Sequence, residues 1–232
     1  MTLDPSSLLV SEVFGPTWQG EGPSLGRRTG FLRLGQCNLD CAWCDTPYTW
    51  DWSRYDKETE LSRRSIADLV AEIAALDVPM LVISGGEPLM QQQGVAELLA
   101  ALPSTLRVEI ETNGTIAPHA DIIDRVDQFN VSPKLANSLV LLGKRRKSSV
   151  LRALRESGKA VFKFVAASVA DLAEIDEIVT AAELAPIYVM AEGTSPDVIL
   201  TRTRELADTV LARGWNMTTR LHVLIWGEQR GV

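Results

Sequence analysis

From residue 31 onward, apolar runs of strand length alternate with stretches of helical period, and this alternation limits the possible folds more than any other feature of the chain. The runs are FLRLG (31–35), LVIS (81–84), LRVEIET (106–112), FNVS (129–132), AVFKFVA (160–166) and IYVMA (187–191). Between the first two lies SIADLVAEIAAL, where Ser65 and Asp68 form a capping-box pattern and Ile66, Leu69, Val70 and Ile73 recur at i, i+3, i+4 and i+7. This predicts a helix with one face on a sheet. Amphipathic stretches at 94–102, 148–157, 169–184 and 197–213 repeat the pattern. Near-continuous apolar strands separated by helices specify α/β architecture with a parallel sheet. Six units are too few for the eight-stranded barrel, so the expected fold is a truncated (partial) (β/α) barrel of about six parallel strands.

No internal repeat or defensible boundary divides the chain, so residues 1–232 are read as one domain. The Gly- and Pro-dense VFGPTWQGEGPSLGRRTG, within residues 1–30, predicts an N-terminal loop or hairpin over the active-site rim. That rim is where GQC, SGGEP, ETNG, SPK and AEG follow five of the strands, at the strand ends where such folds gather functional residues. A net charge of -7 lacks the basic surplus for gripping a phosphate backbone, so the expected partner is a small molecule and not a nucleic acid. Apolar runs such as LVLLG (139–143) fall far short of the roughly 20 residues of a membrane span, and MTLDPSS lacks the basic and apolar regions of a leader. The expectation is a cytoplasmic protein without a membrane anchor.

All three cysteines sit in GQCNLDCAWCDT (35–46), as Cys37, Cys41 and Cys44. Cys-x3-Cys-x2-Cys in a reducing compartment points to metal or cluster ligation over a disulfide framework. A structural zinc site is normally closed by four ligands, and the two histidines, His119 and His222, have no partner at ligand spacing. Three thiolates on a [4Fe-4S] cube instead leave one iron open to a ligand that is not protein.

This loop, with Trp43 before the last cysteine and SGGEP (84–88) after the next strand, resembles the signature of radical S-adenosylmethionine (SAM) enzymes. The resemblance implies a [4Fe-4S] cluster, SAM bound at its open iron, and reductive cleavage of SAM to a 5′-deoxyadenosyl radical. EVFGPTWQGEG (12–22), CDTPYTWD (44–51), ETNGT (111–115), VSPK (131–134) and LHVLIWGEQRGV (221–232) are similar to one subfamily, the 7-carboxy-7-deazaguanine synthases. That resemblance implies radical ring contraction of 6-carboxy-5,6,7,8-tetrahydropterin with loss of ammonia, SAM used catalytically, Mg2+, a homodimer of the radical SAM fold, and reduced flavodoxin or ferredoxin as electron donor.

The same resemblance assigns residues. Cys37, Cys41 and Cys44 would hold the cluster and Thr46 the Mg2+, the plain alternative for Thr46 being a hydroxyl that caps the turn at Pro47. Trp43, Gly85, Gly86, Glu87, Asn113, Ser132, Pro133, Lys134, Met190 and Glu192 would face SAM, with Glu87 offering a carboxylate to its ammonium. Trp18, Gln19, Gly20, Glu21, Arg33, Ser84, Glu111, His222 and the terminal Val232 would face the pterin. Arg33, inside a strand, must meet an anion, either the substrate carboxylate or an acidic neighbour. Lys163 in VFKFV reads as a second rim cation or a snorkelling edge lysine, and His119 as incidental.

Three places depart from the subfamily pattern. These are Met190 and Ala191, the basic stretch within LLGKRRKSS (141–149), and Arg220 and Val223 beside His222. The basic stretch at 144–147 is read as a solvated loop or as a dock for an acidic electron donor. The competing functions are a glycyl-radical activase of the same superfamily and a non-enzymatic zinc module.

Overall fold

A computed structural model describes residues 6–227 and 229–232, and all six expected strands are present in it. Residues 1–5 of the acidic start and Glu228 of the terminal motif lie outside the described residues. The strands are β1 (Ser7–Trp18), β2 (Arg28–Leu34), β3 (Ser62–Ser65), β4 (Met80–Gly85), β5 (Arg107–Thr112), β6 (Gln128–Val131), β7 (Ala160–Ala166), β8 (Ile187–Ala191) and β9 (Asn216–Thr218). They form one open sheet in the order β3-β1-β2-β4-β5-β6-β7-β8-β9. From β2 through β4 to β9 every neighbouring pair is parallel, while β1 runs antiparallel to β2 and β3. The result is the partial barrel expected, extended by β9, whose three residues are too few to register as a periodic run.

The helices also fall where the periodicity placed them: Ile66–Ala75, Gln92–Ala101, Ser148–Glu156, Asp171–Ala182 and Pro196–Ala212. Ser65 caps the first, its Oγ accepting from Asp68 N at 3.1 Å. Alternate strand residues face these helices, and Leu32, Ile83, Ile110, Phe129, Phe162 and Val189 are buried with Leu69, Leu98, Leu154, Ile175 and Leu206 in one convex-side core.

The opposite, concave face corrects the expectation of near-continuous apolar strands. Phe31, Met80 and Val82 make a small apolar cluster there. Beside them the alternation presents Ser84, Glu109, Glu111, Asn130 and Lys163, of which only Glu111 is not fully buried. A period of two lets one strand serve an apolar outside and a polar inside.

The N-terminal hairpin also differs from expectation. Gly15 and Pro16 read as a loop, yet β1 absorbs them at a register shift between Phe14 and Thr17, beyond the four residues that pair with β3. Of the connecting residues 19–27, Gln19, Gly20 and Glu21 line the cavity at the strand ends, while Gly22 and Ser24 bond to β9 and β5. Ser24 Oγ donates to the buried Glu109 at 2.5 Å, Gly22 N donates to Thr218 Oγ1 at 2.9 Å, and Leu221 N donates to Gly20 O at 2.8 Å. A carboxylate buried in mid-strand needs donors, and this loop supplies one while bridging towards β9.

Candidate active site

A cavity of about 520 Å³ opens at the C-terminal ends of the parallel strands. All three cysteines line it, as do Thr46, the SGGEP glycines, Asn113, Ser132, Lys134, Met190 and Glu192. Cys37 and Cys44 pack partly buried against Leu39, Cys41 and Val140. Leu39 N donates to Cys37 Sγ at 3.4 Å and Trp50 Nε1 to Cys44 Sγ at 3.3 Å.

Burial pushes the Cys37 thiol up to about 12, with Leu39 N–H opposing, and it raises Cys41 as well. Such thiols are deprotonated at neutral pH only when a cationic centre takes them as ligands. Zinc with Zn–S of about 2.3 Å would draw its sulfurs to about 3.8 Å from one another. Among the described residues, the one set of three potential ligand atoms gathered within 4.8 Å is Glu21, Asp45 and His222. The three thiols do not form such a set, and three thiolates suit an iron-sulfur cube with one iron left for a non-protein ligand.

The Thr46 hydroxyl does not cap the turn Pro47–Thr49; it lies 3.7 Å from Cys44 Sγ on the cavity wall. Trp43 donates from Nε1 to Asn137 Oδ1 at 3.2 Å and carries the Lys134 ammonium 5.4 Å from its ring centre. Lys134 Nζ also donates to Ser132 Oγ at 2.9 Å. Asn113 ties the turn after β5 to the cysteine loop through Nδ2 to Asn38 Oδ1 at 2.9 Å. Glu192 is ion-paired with Arg202.

Two residues assigned to SAM, Glu87 and Pro133, do not line the cavity. Glu87 is fully buried, and its carboxylate accepts from Leu89 N at 3.0 Å, Thr112 Oγ1 at 2.9 Å and Asn113 N at 2.7 Å. It is not among the residues lining the cavity, because two backbone donors and a hydroxyl already satisfy it. Pro133 is not a lining residue either. At Gly86 a Cβ would collide with Gln36 O, so the absent side chain makes room for the strand end of β2 as much as for a ligand. Glu87→Gln should therefore destabilise the fold by about 2 kcal/mol, since an amide turns a donor towards a donor. Chemical unfolding checks this; unchanged stability with a raised KM for SAM would restore the ligand-contact role.

The residues assigned to the pterin converge on the concave side of the same cavity. Gln19, 1% exposed, donates from Nε2 to Glu111 Oε1 at 3.3 Å, and Ser84 Oγ donates to Glu111 Oε2 at 2.8 Å. Gly20 lies against His222, whose Nδ1 a Cβ would strike. Burial pushes the His222 imidazole below its ordinary value, against the pull of Glu21, so it is neutral at neutral pH. Arg33 donates from Nε to Glu12 at 2.7 Å, the acidic-neighbour alternative, while still lining the cavity. Trp18 stacks on Trp226 at 5.7 Å and is half-exposed at the edge, and Val232 lines the mouth.

Two cations organise this floor. Lys163, 5% exposed, is ion-paired with Glu21 and lies 4.0 Å from Glu111, so it is neither a rim nor an edge lysine. Burial opposes its charge, yet Glu21 and Glu111 hold the ammonium above its usual range. For Glu21, burial is likewise outweighed by Lys163 and Arg220, and the carboxyl is held far below its usual range. Arg220 pairs with Asp45, donates to Glu21 at 3.3 Å and to Gly193 O at 2.7 Å. It joins the cysteine loop, the hairpin loop and the turn after β8. Sequence reading gave Arg220, Asp45, Glu12 and Glu109 no role, and only the charge of Arg220 beside an apolar helix hinted at one. His119 sits exposed before the helix Ala120–Arg125, away from the cavity lining.

Residues 33–185 match the Radical SAM superfamily. A 7-carboxy-7-deazaguanine synthase of Pyrobaculum aerophilum is 35% identical over 226 residues, covering 96% of each chain. One of Rhodopirellula baltica is 35% identical over 97% of this chain and 89% of its own. The crystal structure of QueE from Escherichia coli superposes with a TM-score of 0.70 at 26% identity, over 93% of this chain and 95% of that one. Similarity of this extent, on a fold whose three-thiol loop faces a buried polar floor, means that the chain belongs to the 7-carboxy-7-deazaguanine synthase family of the Radical SAM superfamily.

Proposed function

We propose that this chain converts 6-carboxy-5,6,7,8-tetrahydropterin to 7-carboxy-7-deazaguanine with loss of ammonia, in the queuosine pathway. The observation that carries this reading is the Gln19–Glu111–Ser84 array in the cavity that the three thiols also line. A pterin presents an amino-pyrimidine edge of alternating donors and acceptors, and a carboxylate beside an amide complements it. A [4Fe-4S] cluster on Cys37, Cys41 and Cys44 with bound SAM supplies a 5′-deoxyadenosyl radical.

The chain's own residues orient and protect. Glu111 and Gln19 hold the pterin edge, Arg33 lies within the same cavity as a cation for the substrate carboxylate, and neutral His222 offers a ring nitrogen that can accept a proton. Asn113, Ser132, Lys134, Met190 and Glu192 line the side where SAM would lie, and Leu39 and Val140 give the thiols an apolar backing. Thr46 suits Mg2+, because its uncapped hydroxyl is a hard oxygen beside the expected position of an anionic substrate. Family likeness supports a single-domain chain working as a cytoplasmic homodimer with reduced flavodoxin or ferredoxin as donor.

The test is anaerobic incubation of the reconstituted protein with SAM, reductant, Mg2+ and the carboxypterin, read by mass spectrometry. The expected result is 7-carboxy-7-deazaguanine with one ammonia released per turnover, and a several-fold loss of Mg2+ stimulation in Thr46→Ala. Unchanged pterin despite an intact cluster and SAM cleavage would overturn the substrate assignment.

A further inference from the structure

The segment after the SPK turn carries an exposed apolar surface beside the cysteine loop. Leu139, Leu141 and Leu142 are 78%, 72% and 53% exposed within four residues. Leu139 holds a left-handed φ of 60°, unusual for a leucine, so the backbone is bent in a way that leaves this side chain in solvent. The segment is nevertheless firmly mounted. Val140 is buried against Leu39 and Cys41, Ala42 N donates to Ser138 O at 3.0 Å, and Arg145 donates to Val140 O at 3.1 Å and Lys134 O at 3.0 Å.

Charge completes the surface. Of the four consecutive cations 144–147, Arg145 and Arg146 are engaged by Glu174 at 2.6 and 2.8 Å. Lys144, half-exposed, is weakly paired with the exposed Asp40 at 3.9 Å, and Lys147 donates to the carbonyl of Gly143 at 2.7 Å, so these two cations next to the leucines in the chain face no buried acid. On a chain of net charge -7 this is a local basic rim around an apolar centre.

We propose that Leu139, Leu141, Leu142, Lys144 and Lys147 form the docking surface for a small acidic one-electron carrier protein. The proposal rests on the functional reading above, which needs one electron from outside the chain for each activation. One electron leaves the carrier and is accepted at the cysteine-bound cluster; the carrier is oxidised by one electron and no atom is transferred. Electron transfer falls steeply with distance, and this surface is mounted against the cysteine loop through Ser138 and Val140. Small apolar centres with charged rims suit such short-lived redox encounters, in which charge complementarity sets the rate of association. A second copy is a poorer occupant, because a twofold contact centred here would set Lys144 and Lys147 against their own kind.

An acidic low-potential flavodoxin serves as probe, with the reconstituted enzyme and its Lys144→Glu/Lys147→Glu and Leu139→Ser/Leu141→Ser variants. Calorimetric titration with oxidised flavodoxin at low salt should show binding weakened about 10-fold or more in both variants. Turnover driven by reduced flavodoxin at sub-saturating concentration should fall by a similar factor, while turnover driven by dithionite stays within about 2-fold of the parent. Unchanged flavodoxin affinity, or equal loss with both reductants, would overturn the proposal. So would light scattering that shows the variants losing a dimer present in the parent, since the surface would then belong to a second copy. If the parent itself makes no product with dithionite, the functional reading fails, and the titration still decides the docking surface.

Discussion

Replacing any one of Cys37, Cys41 and Cys44 by serine should abolish SAM cleavage and weaken cluster binding by two to three orders of magnitude. A full set of structural metal ligands is worth about 10–16 kcal/mol, so a single thiolate carries about 3–4 kcal/mol of it. Serine oxygen is a poor substitute for a soft thiolate. Iron and sulfide analysis after anaerobic reconstitution, with visible absorption, reads the result. A serine variant that retains a full cluster and cleaves SAM would remove that cysteine from the ligand set.

Lys163→Met should cost about 3 kcal/mol of stability and most of the activity. The ammonium is buried between Glu21 and Glu111, and deleting one member of a buried ion pair strands the other charge. Part of the loss should return in Lys163→Met/Glu21→Gln, because the stranded carboxylate is then gone; a double-mutant cycle by chemical unfolding measures this. The pair also sets a pH window. Glu21 is held far below 4.5, so its contribution is complete above 4.5 and is lost as pH falls below that value. Lys163 is held above 10.5, so its contribution is complete below 10.5 and fades as pH rises through its folded value. Stability from the pair should therefore be flat between these limits, and Lys163→Met should remove the alkaline decline. An additive double mutant, or a lysine variant as stable as the parent, would show that the pair is not coupled in the fold.

The convex half of the molecule was legible because burial against helices imposes a simple pattern. Leu81 and Ile83, or Phe162 and Phe164, announce strands whatever lies on their other side. The concave half was harder, since its partners come from distant segments. Glu109 meets Ser24 and Asn130, and Arg220 meets Asp45 and Glu21, across sequence separations of 85, 21, 175 and 199 residues. No local periodicity encodes such pairings. The alternation in RVEIET and FKF did contain the signal that one strand face is polar, but mid-strand charge was read as rim or solvent.

In SGGEP the carboxylate of Glu87 accepts from the backbone of Leu89 and Asn113 and braces the turn after β5 against β4, a role that the motif alone does not reveal. The cysteines, by contrast, could be placed from spacing alone, because three ligands in eight residues can meet one centre only if they share a loop.

The most direct test of the account is an anaerobic crystal structure of the reconstituted protein with SAM and 6-carboxytetrahydropterin. The account predicts an iron-sulfur cluster on Cys37, Cys41 and Cys44, SAM along the wall of Asn113, Ser132 and Met190, and the pterin edge on Gln19 and Glu111. A single metal ion closed by a fourth protein ligand, or a pterin bound away from Glu111, would contradict it.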